Sequence, residues 1–365
     1  MSDSILFAQV PRFYAEVERA QDPSSRDRPV IVGGDPRKRG TLQSATQDAL
    51  DSGVELGMPM LAALELCPRA RVARTDMKRY REASGRLRAC LRAVCQGLET
   101  VGLEGAYLEF QANTRTVSAA GGTFESADEL AERLQQAIAA QLDLPLRVGI
   151  AAVKFLARLA AEEAGRGGVL HIRPGSEGKF LQPLPLARLP GVGPKTVATL
   201  DALGARCIGD LLAIDPGRLE GELGNHGLRI LEYARGEDHA RVRSARHPQT
   251  LSKEYTFTNV ELDLGILWQQ LQELSSSVEA ALGREGLSAR RVAIKLRYSD
   301  GETSTRSQTL TGPVSSQSAI YAAAASLLER THAGSRPIAL IGVTLAGLVS
   351  AGVADAQLDL FSGPS

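Results

Sequence analysis

The sequence predicts an α+β chain of several domains, and three observations carry that expectation. Strands and helices interleave as far as about residue 164, the stretch Leu184–Gly236 is helical with frequent Gly and Pro, and the last hundred residues read β-α-β-β-α-β. At 365 residues the chain is also longer than one ordinary domain.

The elements follow in order. Ser4–Val10 is a short apolar run suited to a buried strand, stopped by Pro11, and a helix follows from about Phe13 to Gln21. After the turn Asp22-Pro23-Ser24, Pro29–Val32 reads as a second strand, closed by Gly33-Gly34-Asp35-Pro36. Two helical stretches are expected at about Ser44–Ser52 and Pro59–Cys67. Tyr80–Glu99 reads as a long amphipathic helix, with Leu87, Cys90, Leu91 and Val94 at helical spacing. Gly105–Phe110 and Thr116–Ala119 read as neighbouring strands, then Asp128–Leu142 as a helix, Leu146–Ile150 as a strand and Lys154–Ala164 as a helix. The expected result is a sheet with helices on one face. Gly165-Arg166-Gly167-Gly168 marks a boundary, and the charged, weakly patterned Arg235–Thr250 is a linker candidate. The closing domain takes strands Ser252–Thr258, Arg291–Tyr298, Thr303–Leu310 and Ile338–Leu345, with helices Leu264–Arg284 and Ser318–Thr331.

Composition excludes several classes. No run of 18 apolar residues appears and Met1–Val10 lacks a signal pattern, so a soluble, cytoplasmic protein without membrane contact is expected. The four cysteines, Cys67, Cys90, Cys95 and Cys207, have no CxxC spacing, so neither a zinc site nor a disulfide framework is indicated. Lys plus Arg equal Asp plus Glu at 42 each, so overall charge says nothing about nucleic acid. From Arg241 to Ser350 there are 12 basic and 9 acidic residues, a bias too small to decide anything; the placement of the charges must.

Several short strings occur in a fixed order: Pro29–Gly34, Ser44-Ala45, Gly57-Met58-Pro59, Leu66-Cys67-Pro68, Arg79-Tyr80-Arg81-Glu82, Val148-Gly149-Ile150-Ala151, Lys154-Phe155-Leu156-Ala157, and Leu189 to Thr196. In this register, over roughly Ile5–Val349, the chain resembles the Y-family (translesion, DNA polymerase IV/UmuC-like) DNA polymerases. The resemblance implies their multidomain right-hand fold: palm 1–25, fingers 26–71, palm again 72–168, thumb 169–236, linker 237–250, little finger 251–349 and a tail 350–365.

Nucleotidyl transfer uses two divalent cations and therefore several convergent carboxylates, since Mg²⁺ prefers oxygen ligands. The resemblance places these at Gln9, with Pro11 at the next acidic position of that strand, and at Glu104 and Gly105 before Ala106-Tyr107-Leu108. Only Glu104 is acidic, so the metal site is expected to be lost, no Mg²⁺ cofactor to be held and the chain not to be an enzyme. The family's fingers tyrosine and arginine, which grip the triphosphate, fall on Gln47 and Leu50. Lys154 stands at the family's phosphate-binding lysine, beside Val153, and Tyr14 at the steric gate against ribonucleotides.

DNA contacts are implied elsewhere. Gly191-Val192-Gly193-Pro194-Lys195 resembles a helix-hairpin-helix, whose backbone approaches a phosphate and whose lysine adds a charge. Arg291, Lys295 and Arg297 alternate with Val292, Ile294 and Leu296, giving one basic and one apolar sheet face; Ser304, Arg306 and Gln308 share a face of the next strand. Primer–template DNA would be bound with little sequence preference. Gln357-Leu358-Asp359-Leu360-Phe361 resembles the pentapeptide that binds the bacterial β sliding clamp.

A clamp motif and a DNA grip without metal ligands resemble the noncatalytic ImuB-like subgroup. Its members tether an error-prone replicative-type polymerase and a RecA-like accessory protein at damaged DNA. The expected role is thus an inactive adaptor in damage-induced mutagenesis. Two alternatives stay open: a divergent but active translesion polymerase using Glu104 and Glu109, and a clamp-binding regulator that does not touch DNA.

Overall fold

A computed structural model describes residues 4–38, 40–94, 97–110, 126–243 and 249–350. The chain divides into two units, Met1–Ala245 and Arg246–Ser365.

The first unit opens with β1 (Ser4–Gln9) and α1 (Phe13–Gln21). β2 (Val30–Gly33), β3 (Leu42–Ala45), α2 (Gln47–Leu50), α3 (Met60–Leu66) and β4 (Arg71–Arg74) follow. These strands form a small sheet of order β3-β2-β4, antiparallel between β2 and β3 and parallel between β2 and β4. One face of β2 packs Ile31 with Leu42, Met60 and Ala63, and Val30 and Val32 on its other face join the core around α1. The helical stretch expected at Ser44–Ser52 is instead the end of β3 plus the single turn α2. Pairing with β2 outweighs local propensity there, because Thr46 Oγ1 accepts a hydrogen bond from Val30 N at 2.9 Å.

Next come α4 (Met77–Val94), β5 (Leu98–Val101), β6 (Gly105–Phe110), α5 (Ala127–Leu142), β7 (Arg147–Ala151), α6 (Lys154–Glu163) and β8 (Val169–His171). The helix expected through Glu99 stops earlier, and Leu98–Val101 pairs with β6 instead. The strand expected at Thr116–Ala119 and Cys95 lie outside the described residues. The five strands order β5-β6-β1-β7-β8, with β1 central and antiparallel to both neighbours. The glycine run 165–168 does not end this sheet, since β8 pairs in parallel with β7 just beyond it.

Both faces of the sheet are covered, not one. Leu6, Ala8, Leu108, Val148 and Ile150 pack with residues of α1, α4 and α5 on one side. Phe7, Tyr107 and Ala151 pack with α6 on the other. Alternation along buried strands supplies the two apolar sets. α6 sits directly on Gly149, where a Cβ would collide with the backbone of Ala157, Ala160 and Ala161.

The core on the α6 side continues into a helical region: α7 (Glu177–Leu181), α8 (Pro194–Ala202), α9 (Pro216–Leu223) and α10 (Asn225–Ala234). Leu181, Leu200, Leu219 and Ile230 are its buried members. No helix among the described residues is long and apolar enough to cross a membrane.

The second unit holds β9 (Thr250–Glu261), α11 (Leu264–Glu285), β10 (Leu287–Tyr298), β11 (Thr303–Val314), α12 (Gln317–Leu328) and β12 (Ile338–Ser350). Its sheet order is β11-β10-β12-β9. Leu267, Leu271 and Val278 of α11 and Ile320 of α12 cover Val292, Ile294, Leu296 and Tyr298, leaving the opposite face open.

Gly149 gives a test of the packing. Gly149→Ala forces α6 off the sheet, and the expected loss is at least the ~1–3 kcal/mol usual for overpacking. Chemical denaturation measures it; an unchanged midpoint would contradict the close approach.

Candidate active site and nucleic-acid interface

At the end of β1, Gln9 lies between Gly105 of β6 and Arg147 of β7. Residues directly opposite in antiparallel strands share a face, so all three look the same way. Gln9 Oε1 accepts two hydrogen bonds from Arg147, from Nε at 3.0 Å and Nη2 at 2.5 Å. Arg147 Nη1 reaches the Glu162 carbonyl at 3.4 Å. Burial lowers the Arg147 pKa from its ordinary value; Glu162 opposes that and the charges of Arg12, Arg188 and Arg158 add to it.

The neighbouring residues are specialised too. Arg12, between β1 and α1, takes a left-handed conformation at φ 52° and ψ 43°, uncommon for a residue with a side chain. Its pKa is also lowered, first by burial. Glu104 is bound into the β5–β6 turn: its Oε2 accepts from Leu103 N at 3.0 Å, and its carbonyl accepts from Val10 N at 2.9 Å. A Cβ on Gly105 would lie 2.9 Å from the Ala8 carbonyl oxygen and 3.3 Å from Gln9 Cβ. Among the described residues, no group of three or more His, Cys, Asp or Glu could hold a metal ion. An amide paired to a guanidinium, a glycine and one carboxylate turned onto its own backbone do not fit a pair of divalent cations.

The expected nucleotide-binding positions are occupied by local contacts. Tyr14 stacks on Tyr80 with ring centroids 4.3 Å apart and planes 10° from parallel, so its ring is part of the packing between α1 and α4. Tyr80 in turn donates to Glu18 at 3.1 Å, and Arg79 binds that buried carboxylate at 2.8 and 3.0 Å. Gln47 donates to Asp51 at 2.7 Å, while Leu50 packs against the small-sheet core.

Lys154 Nζ contacts Glu99 Oε2 at 2.7 Å and lies 4.6 Å from the centre of the Tyr107 ring. Both charged side chains are nearly buried, at 11% and 5% exposure. Arg243 N also donates to Glu99 Oε2, at 2.8 Å, so the segment beyond α10 closes over this pair. Burial pushes the Tyr107 hydroxyl up to about 12. A charge pair this dry is costly to separate, because removing one partner leaves the other buried and uncompensated.

In the helical region, Gly191 has φ +78°, and Gly193 caps α8 with no side-chain hydrogen bond. Val192 is buried, while Lys195 projects exposed from the first turn of α8. This geometry leaves backbone N–H groups and one ammonium at a helix start.

In the second unit the open face carries Arg291, Lys295 and Arg297, opposite Thr309, Thr305 and Thr303 of β11. Lys295 pairs with Glu254 of β9 at 3.1 Å. Arg306 stands opposite Ile294, so its register puts it with Ser304 and Gln308 on the helix-covered side at the sheet edge, away from the basic face. The pentapeptide Gln357–Phe361 lies outside the described residues.

Sequence reading missed Arg147 and Glu99 as members of these sites. Arg147 and Gln9 are 138 positions apart, and only the pairing of β7 on β1 joins them. Glu99 reads as the end of a helix until β5 pairs with β6.

Comparisons with known proteins extend over most of the chain. Residues 9–162 match the impB/mucB/samB family, and residues 248–360 match that family's C-terminal domain. A DNA polymerase IV of Halorhodospira halophila is 36% identical over 344 residues, covering 94% of this chain and 95% of its own. A DNA polymerase IV of Listeria monocytogenes is 32% identical over 347 residues, covering 95% of this chain and 96% of its own. Among solved structures, a chimeric Y-family DNA polymerase superposes with a TM-score of 0.79 at 22% identity, covering 95% of this chain and 99% of its own. DinB from Sulfolobus solfataricus gives 0.68 at 22% identity, covering 94% and 98%.

These findings correct two expectations. The chain was expected not to be an enzyme, yet relatives sharing about a third of its residues over nearly the whole length are named DNA polymerase IV. The expectation of no cofactor falls with it, because that family of enzymes is Mg²⁺-dependent. The narrower likeness to the noncatalytic ImuB-like subgroup finds no support in the comparisons. What they do establish, together with the mixed α+β right-hand fold, is that the chain belongs to the impB/mucB/samB family, the Y-family of DNA polymerases.

Proposed function

We propose that this chain is a divergent translesion DNA polymerase that works on primer–template DNA. The observation that carries the reading is the 36% identity to a DNA polymerase IV across 94% of the chain. On this reading the five-stranded sheet is the palm, the small sheet with α2 and α3 the fingers, the helical region the thumb and the second unit the little finger. Glu104 is the one acidic residue at the carboxylate positions, so any nucleotidyl transfer depends on it. The arrangement around Gln9 supplies no second acidic ligand, and no chemical step is assigned to a metal there.

DNA contact is proposed at two places. The Gly191–Lys195 turn offers N–H groups and a lysine to a backbone phosphate. The open little-finger face offers Arg291, Lys295 and Arg297 among threonines, a surface that meets phosphates without reading bases. Gln357–Phe361 is proposed as a segment that docks on the β sliding clamp, with Leu358, Leu360 and Phe361 as apolar anchors. Among the described residues no feature argues for partner polymerases or RecA-like proteins.

Three measurements test the reading. In primer extension with Mg²⁺ or Mn²⁺, template-dependent incorporation is expected from the wild-type protein and its loss from Glu104→Gln; no incorporation by the wild type on DNA it demonstrably binds would remove the catalytic part. Affinity for primed duplex should fall steeply with salt, and replacing Lys195 and Arg297 by Ala should flatten the log–log slope by about 0.9 for each phosphate that is no longer neutralised. Leu360→Ala with Phe361→Ala should abolish clamp binding in surface plasmon resonance and leave DNA affinity unchanged; surviving clamp affinity would place the docking segment elsewhere.

A further inference from the structure

At the ends of β1 and β7 stand two guanidinium groups, Arg12 and Arg147, on which carboxylates act only from beyond ion-pair distance. Among the described residues, neither Arg12 nor Arg147 has a carboxylate within ion-pair distance, whereas their neighbours do. Arg158 pairs with Glu162 at 3.1 Å, Arg188 pairs with Glu163 at 2.5 Å and Glu162 at 3.4 Å, and Arg166 pairs with Glu16 at 3.1 Å. Arg147 is instead held by a neutral amide, through two of its N–H groups, and touches one carbonyl with a third. A guanidinium carries five N–H donors, so this fork is fixed in orientation and still has donors to give. Arg12 stands three residues past the end of β1, and its Nε, like that of Arg188, is buried without a hydrogen-bond partner.

The charge of Arg12 acts on Arg147, and the opposing carboxylates, Glu162 for Arg147 and Glu16 and Asp51 for Arg12, act without ion-pair contact, so an anion placed on the guanidinium donors would be favoured. The left-handed backbone at Arg12 adds a local cost of the kind that collects at binding sites.

We propose that Arg147, oriented by Gln9, and Arg12 form a phosphate-binding site that takes a phosphate group directly on their guanidinium donors. The phosphate comes either from the backbone of the DNA or from a nucleoside triphosphate. Both present the tetrahedral oxygens that a guanidinium fork matches. The inference rests on the reading of the β1–β7 end as the face turned to primer–template DNA.

The experiment measures binding in EDTA, in two arms: fluorescence anisotropy with primed duplex DNA, and equilibrium dialysis with a deoxynucleoside triphosphate. Gln9→Glu keeps the size of the side chain and its bond to Arg147 but cancels the charge, while Arg147→Gln removes it. Each variant is expected to bind about tenfold more weakly in at least one arm, the worth of a charge-assisted contact. If the DNA arm responds, its salt slope falls by about 0.9. An effect confined to one arm identifies the source of the phosphate. Melting curves guard against misfolding, and Arg12→Gln, at an irregular position outside the sheet, is the fallback should Arg147→Gln fail to fold. Folded variants that match the wild type in both arms would overturn the site alone. A wild-type protein that binds neither ligand would overturn this site and the functional reading together.

Discussion

β1 is hydrogen-bonded along both edges, and Leu6, Phe7 and Ala8 are fully buried between two helix layers. A strand so fixed has no freedom at its end, and every side chain there inherits a set position. Gln9 therefore meets Arg147 across one edge and Gly105 across the other, and the pleat turns all three to the same side. Glu104 is held at the same end, where its carbonyl accepts from Val10 N. Gly149 belongs to the same constraint: by letting α6 rest on β7, it sets where Lys154 enters.

Fold and local chemistry are carried by different numbers of residues. Family membership is spread over the core, where Val30, Leu108, Leu130, Ile150, Leu200 and many others each contribute burial. The chemistry expected of the family depends on a few oxygen ligands, and a substitution there changes function with little effect on packing. Gln9 is an amide that fits between β6 and β7 and is held there by Arg147. Lys154 illustrates the same economy, since its ammonium is satisfied by Glu99 and Tyr107 inside the protein.

The second unit divides its roles by alternation. Val292, Ile294, Leu296 and Tyr298 are buried under α11 and α12, and Arg291, Lys295 and Arg297 look the other way. Its neighbour β11 repeats the pattern with threonines on the open side. That face suits a polyanion better than an apolar partner, because small hydroxyl side chains admit a backbone closely while the strand beside them supplies charge.

Much of this was legible in the sequence, for local reasons. Helix period, strand alternation and Gly or Pro punctuation placed α1, α5, α6 and the six elements of the second unit within a few residues, and ordered strings such as Leu189 to Thr196 pointed to the family. The expectation that Gln9, Glu104 and Gly105 depart from that family also came from the sequence, and the conclusion drawn from it about enzymatic activity went further than the relatives allow. Only tertiary structure decided which residues meet. The short strand at Leu98, the second helix layer on the large sheet, the side on which Arg306 stands and the partners of Arg147 and Lys154 all depend on strand register between distant segments. Register is fixed by which faces can be buried together, and no local run of residues contains that information.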